Sequence, residues 1–221
     1  MVCIQKGGAA LARTKHPEQT VQLILDTAAR LFIQKGYDKT TLQDIIDATK
    51  LSNGAIYHHF ASKEAILIAV VEKIGDYNNA VLAEVRDRKD LTGAEKLREM
   101  SRTSMRLSFQ GDVMHMLPFL IDNPKFLTLQ MKSLFEEAAP VYILPVVREG
   151  IADGSIRTDY PEELTEALLL LLNLWLLPVL RPSTPEQFRS RCAFCNQLTR
   201  QYGFELIDED MIETMTEFCR P

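Results

Sequence analysis

Apolar residues recur at intervals of three and four along almost the whole chain, the period of a helix with one buried face. From Pro17 the positions Val21, Ile24, Leu25, Ala28, Leu31 and Phe32 trace the first such stripe. Pro17 suits a first helical turn, and Gly36 suits the left-handed residue just past a helix end. In Thr40-Thr41-Leu42-Gln43, a threonine with glutamine three residues later reads as a capping box, so a second helix starts at Thr40 or Thr41. Leu42, Ile45 and Ile46 give it one apolar face, and it ends near Thr49-Lys50. Ser52 then caps a third helix running to about Phe60. Two short helices joined by a three- or four-residue turn form a helix-turn-helix.

The helical period continues downstream. Glu64 to about Val85 carries Ile66, Val70, Ile74 and Val81, a linking helix that joins the first unit to the rest. Arg86–Asp90 is a charged break, and Thr92-x-x-Glu95 offers a second capping box for a helix through Leu97, Met100, Ser104, Met105 and Leu107, ending by Gly111. Met114–Ile121 predicts a short helix. Lys125 to about Ala152 predicts a longer one, kinked or split by Pro140 and Pro145. Glu162–Leu180 is apolar almost all round, which predicts a helix buried on every side. Pro185–Tyr202 follows with a second stripe, and residues 204–221 add a short terminal helix through Met211, Ile212 and Met215. No strand alternation is visible. The fold class is all-α: a flexible arm over 1–16, a three-helix unit over 17–63 and a helical bundle over 64–221.

The apolar run has more surface than one subunit covers. Two such helices from each of two subunits would form a four-helix bundle, so the run predicts a homodimer seam involving Leu172, Leu176, Phe188, Cys192 and Cys195. The run "ALLLLLNLWLLPVL" is too short to span a bilayer, which argues against a membrane protein. Four cysteines in 221 residues do not make a disulfide scaffold, so the expected compartment is the reducing cytoplasm.

Charge changes the picture only through its distribution. The net charge is −5, yet residues 1–65 hold eight Lys/Arg against six Asp/Glu, together with three of the four histidines. The remaining residues are net acidic. The helix-turn-helix thus sits in the basic part of an acidic chain.

The segment "LSNGAIYHHFASK", residues 51–63, locates the chemistry. On a helical wheel Ile56 and Phe60 share one face and lock the third helix onto the first two. Gly54, Ala55, Tyr57 and His58 point the other way, with Asn53 at the exposed N-terminus and His59 on a flank. Small residues ringed by hydrogen-bonding side chains fit a DNA major groove. Tyr57, His58, His59 and Lys63 suit phosphate oxygens, and Ser52 and Ser62 place helix N-termini nearby.

Gln19–Leu67 resembles the N-terminal DNA-binding domain of the TetR family of bacterial transcriptional regulators. The matching pieces are A-x-x-L-F-x-x-K-G-Y, the T-T before helix two, and S-x-G-A-I-Y-H-H-F-x-S-K-E. The resemblance implies a homodimeric repressor, a double-stranded DNA operator, and a C-terminal half that binds a small apolar or amphipathic effector. It implies that Thr40, Thr41 and Gln43 approach the DNA backbone. Asn53, Gly54, Ala55, Tyr57, His58 and His59 would face the operator beside Ser52, and Lys63 would hold a phosphate. Three positions depart from the family's pattern. Lys50 stands where a turn glycine is usual, Thr49 where an alanine is common, and Asn53 where a lysine is common.

Other chemistry is weaker. His58 and His59 diverge by roughly 100° on a helix and cannot chelate one metal as an i, i+4 pair would. Cys192-x-x-Cys195 lacks the βαβ context of a redox motif and reads as core, with a thiol switch as the rival. No phosphate loop, nucleophile elbow or paired-carboxylate motif is present, so no enzyme, cofactor or metal is expected. Met100, Met105, Phe109, His115, Phe119, Tyr142, Asn173 and Trp175 lie on the helices that would enclose an effector, as do Met114, Met116, Phe126 and Phe135. The alternative is a bundle that only dimerises or docks a protein.

Overall fold

The computed structural model describes residues 17–109, 124–178 and 180–219, and among these it is all helical. The helices are α1 (Pro17–Lys35), α2 (Leu42–Thr49), α3 (Asn53–His59), α4 (Lys63–Asp87), α5 (Gly93–Phe109), α6 (Pro124–Lys132), α7 (Leu144–Asp153), α8 (Pro161–Leu170), α9 (Pro185–Arg200) and α10 (Glu209–Thr216). Two stretches, Ser133–Ile143 and Leu171–Trp175, are wound as π-helix. Among the described residues no helix is long and apolar enough to cross a membrane.

Two apolar cores meet on α4. Ile24, Phe32, Ile45, Ile56, Ile66, Leu67 and Val70 belong to the first, built from α1, α2, α3 and the start of α4. Leu82, Val85, Leu97, Val146, Leu168, Leu176, Phe188 and Met211 belong to the second. The sequence boundary at 63/64 therefore falls inside a shared element: the first turns of α4 complete the core of the N-terminal unit.

Several expectations need refinement. The second helix begins at Leu42, and its capping box is Thr41 with Asp44 instead of a threonine with Gln43. The Asp44 N–H donates to Thr41 Oγ1 at 3.1 Å and the Thr41 N–H to Asp44 Oδ2 at 2.8 Å. Shifting the cap by one residue turns Thr40 inward. The predicted helix over 125–152 is a continuous run of α6, π-helix and α7, with Pro140 inside the π turn and Pro145 in the first turn of α7. The wider π winding accommodates a residue that cannot donate to the carbonyl four positions back. The short helix expected over Met114–Ile121 lies outside the described residues. The terminal helix forms as α10, with Met211, Ile212 and Met215 buried.

The N-terminus of α5 crosses α7 at backbone contact. A Cβ on Gly93 would lie 2.3 Å from the backbone nitrogen of Gly150, which no side chain tolerates. Asp153 and Ser155 cap this end, accepting from Gly93 N at 2.8 Å and Ala94 N at 3.1 Å. Beside it Lys96, with no exposed surface, donates to both Glu149 carboxylate oxygens at 2.7 and 2.6 Å.

The seam predicted from the apolar run is placed differently. Leu176, Phe188, Cys192 and Cys195 are all 0% exposed, filling the chain's own bundle core, so they cannot form a seam with a second subunit. The Glu162–Leu180 run is not buried on every side either: Leu171 through Trp175 are half-buried and Leu170 is exposed. Leu170 and Phe194 are the exposed apolar side chains of these two helices, and the half-buried Trp175 ring packs edge to face on Phe194 at 5.9 Å. Periodicity alone could not tell which stripe of α9 faces inward.

Candidate nucleic-acid interface

The reading helix is fixed from below and capped at its start. Ser52 Oγ accepts from Ala55 N at 3.2 Å, and Ser62 Oγ accepts from Ala65 N at 3.1 Å at the start of α4. Ile56 is fully buried and Phe60 nearly so. Asn53, Gly54, Tyr57 and His58 are exposed, Tyr57 by 56%, while Ala55 and His59 are half-buried on the flanks. The His58 and His59 rings pack edge to face, 5.0 Å apart. A Cβ on Gly54 would meet nothing within 4 Å, and its backbone is ordinary helix, so the fold itself has no need of glycine there.

The turn between α2 and α3 has one strained residue. Lys50 is left-handed, φ 57° and ψ 22°, the only such non-glycine among the described residues, and its N–H donates to Ile46 O at 2.9 Å. Thr49, standing where an alanine is common, is buried and returns its hydroxyl to Ile45 O at 2.8 Å.

Around this helix the other named side chains separate. Thr41 and Gln43 are exposed, with Gln43 Nε2 donating to Asp47 at 2.7 Å. Thr40 is 0% exposed and donates to Gly36 O at 2.8 Å and Leu31 O at 3.2 Å. Its side chain closes the end of α1 and cannot reach DNA, which corrects its inclusion among the backbone contacts. Lys63 Nζ donates to Tyr37 O at 2.7 Å and lies 4.0 Å over the Tyr37 ring. It is half-buried and anchors the α1–α2 loop, a tie between residues 26 apart that sequence spacing could not reveal. Lys35 donates to Asp44 at 2.8 Å; this, with the Thr41 N–H, holds the Asp44 carboxyl well below the usual carboxylate range.

This geometry, a capped reading helix standing on two supporting helices, has close counterparts. The family model for bacterial regulatory proteins of the tetR family matches residues 24–70. The repressor KstR2 of Rhodococcus jostii is 30% identical over 151 residues, covering 64% of this chain and 70% of that protein. The chain belongs to the TetR family. The crystal structure of a TetR-family regulator from Pectobacterium atrosepticum superposes with a TM-score of 0.66 at 22% identity, over 89% of this chain and 99% of that one. A gamma-butyrolactone receptor shares the fold, with a TM-score of 0.54 at 20% identity over 91% and 94% of the two chains. This TetR-family protein is a DNA-binding transcriptional regulator, not an enzyme.

The candidate effector residues are scattered. Met100 and Met105 are buried in the bundle core; Tyr142 and Trp175 are half-buried against it. Asn173 donates to Leu169 O at 2.9 Å, one turn back in its own helix. His115, Phe119, Met114 and Met116 lie outside the described residues, as do the side chains of Phe109 and Phe126. A groove of about 320 Å³ opens between α8 and the end of α9, lined by Tyr160, Glu163, Leu164, Leu168, Leu198 and Tyr202. None of the effector candidates lines it.

Proposed function

We propose that the protein is a homodimeric repressor acting in the cytoplasm, whose α3 enters the major groove of each half of a palindromic operator. The observation that carries this reading is the outward face of α3. Asn53, Gly54, Tyr57 and His58 are presented to solvent on a rigidly capped helix, and Gly54 leaves an open approach that packing does not demand. Asn53 can pair bidentately with adenine. Tyr57, His58, His59 and the hydroxyl of Ser52 suit phosphate oxygens, whereas the Thr41 hydroxyl already donates to Asp44 at 2.8 Å. Gln43 and Ala55 sit at the rim of the same surface. Lys63 contributes its charge to this surface, with Nζ held beside Tyr37.

Two subunits would pair through the exposed apolar side chains of Leu170 and Phe194, with half-buried Leu172 and Trp175 beside them. A small apolar or amphipathic effector would bind among the helices of the second core, near Tyr142 and Trp175. In favour are the half-buried aromatics, the π winding of adjacent segments, which recurs at functional sites, and a fold shared with a protein named as a receptor. The thiol-switch alternative is disfavoured by the full burial of Cys192 and Cys195.

Selection of bound sequences from random duplex DNA tests the central claim. Wild type is expected to enrich a two-fold symmetric site, and Asn53→Ala to relax the preference at one symmetric pair of positions. Identical selected sites for the two proteins would remove Asn53 as a reader, and enrichment of nothing by wild type would remove the operator.

A further inference from the structure

The turn between α2 and α3 carries a lysine where its backbone favours glycine. Lys50 is left-handed, φ 57° and ψ 22°, a conformation that strains a residue with a Cβ and leaves glycine unstrained. The turn is pinned in this shape from both sides. The Lys50 N–H donates to Ile46 O at 2.9 Å, the Leu51 N–H donates to Thr49 Oγ1 at 3.4 Å, and Leu51 packs on the core of the N-terminal unit. No contact of the lysine side chain offsets the strain: it is exposed and makes no hydrogen bond or ion pair among the described residues.

Other cations of the same unit are engaged within it. Lys35 is paired with Asp44 at 2.8 Å, and Lys63 Nζ donates to Tyr37 O at 2.7 Å. Arg30 and Lys39 are exposed and unpaired like Lys50, but neither has a left-handed backbone, so their presence costs the fold nothing. Lys50 stands three residues before Asn53 and two before the Ser52 cap. A recognition helix docks with its N-terminal residues nearest the base edges, while the helix before it crosses the sugar-phosphate backbone. The turn that joins them lies at the wall of the groove. There a flexible four-carbon stem can set a point charge against a phosphate.

We propose that Lys50 holds a backbone phosphate of the bound duplex, and that the strained turn is retained for this contact. Strain that the fold itself does not use points to a function outside the fold. The contact is this chain's own, since the resemblance places a glycine at this turn. A phosphate contact adds affinity without reading sequence, so Lys50 acts on the operator and on any other duplex alike. Replacing it by glycine therefore moves the protein in two directions at once, towards higher stability and weaker DNA binding. The proposal rests on the docking of α3 in the groove given above, and not on a palindromic operator, a dimer or an effector.

Three substitutions separate charge from strain. Lys50→Gln keeps the strain and removes the charge, Lys50→Gly removes both, and Lys50→Arg keeps both. Lys89→Gln, at an exposed position in the loop after α4, controls for net charge. Fluorescence anisotropy of the full chain follows binding to the operator selected by wild type and to a mixed-sequence duplex, from 50 to 200 mM salt. Lys50→Gln and Lys50→Gly are expected to lower the slope of log affinity against log salt by about one per half-site. For two half-sites, wild type then loses about twelvefold more affinity across that salt range than either variant. The ratio to wild type should be the same on both duplexes, and Lys50→Arg and Lys89→Gln should keep the wild-type slope. A Lys50→Gln slope equal to that of wild type overturns the proposal. So does an equal loss in Lys89→Gln, because bulk charge would then account for the effect. If wild type enriches no symmetric site, the operator reading fails while the slopes on the mixed-sequence duplex still decide Lys50.

Discussion

Replacing Lys50 by glycine should stabilise the protein. Lys50 occupies the left-handed region, φ 57°, in the α2–α3 turn, and its side chain is exposed. A residue with a Cβ costs roughly 1–2 kcal/mol in that region. Glycine removes this strain but loosens the unfolded chain, which costs about 0.4–1 kcal/mol. The difference leaves a gain of roughly 0.5–1 kcal/mol. The N–H bond to Ile46 O is backbone and survives the change. In a chain of this size that gain raises the melting temperature by about 1–4 °C. Lys50→Ala, which keeps a Cβ, should change little, and Lys50→Asn should fall between because asparagine tolerates the left-handed region. Thermal and urea unfolding of the three variants beside wild type measure the effect. The operator selected from random DNA should be the same for Lys50→Gly as for wild type, because the turn geometry is retained. A Lys50→Gly protein no more stable than Lys50→Ala would refute the reasoning, since strain at this φ would then contribute nothing.

Asn196→Leu should destabilise by about 3–5 kcal/mol in urea unfolding, because a buried side chain that donates to Ile207 O and accepts from Leu206 N and Ile207 N is lost and three backbone groups are orphaned. Phe194→Asp should yield folded monomers by sedimentation, whereas Leu176→Asp should unfold the bundle; a tight dimer for Phe194→Asp would move the seam elsewhere. Burial pushes the Cys192 thiol up to about 12 and Cys195 up to about 11, so neither should react with a disulfide reagent at pH 8 before unfolding. Unfolded thiols ionise near pH ~8.5 while the folded ones stay protonated, so stability should fall as pH rises from there towards 11 and be untouched by these groups below it. A Cys192→Ala, Cys195→Ala protein, compared across that range, should lack this component of the decline.

The local features of the reader were legible because they depend on residues close in sequence. Helical period, the serine caps of α3 and α4, and the inward pair Ile56 and Phe60 all act within one or two turns, so Gln19–Leu67 announced both its fold and its outward face. The apolar period likewise announced an all-helical bundle and the terminal helix. Tertiary packing decided what spacing leaves open. It turned Thr40 inward beneath α1, drew Lys63 onto Tyr37, and put Phe188, Cys192 and Cys195 inside while leaving Phe194 outside. A stripe says that one face is buried, not which neighbour buries it. The same limit hid Arg86, which the sequence showed only as the start of a charged break: its partner, 55 residues away, is the Val141 carbonyl, and only the folded chain brings the two within 3.1 Å.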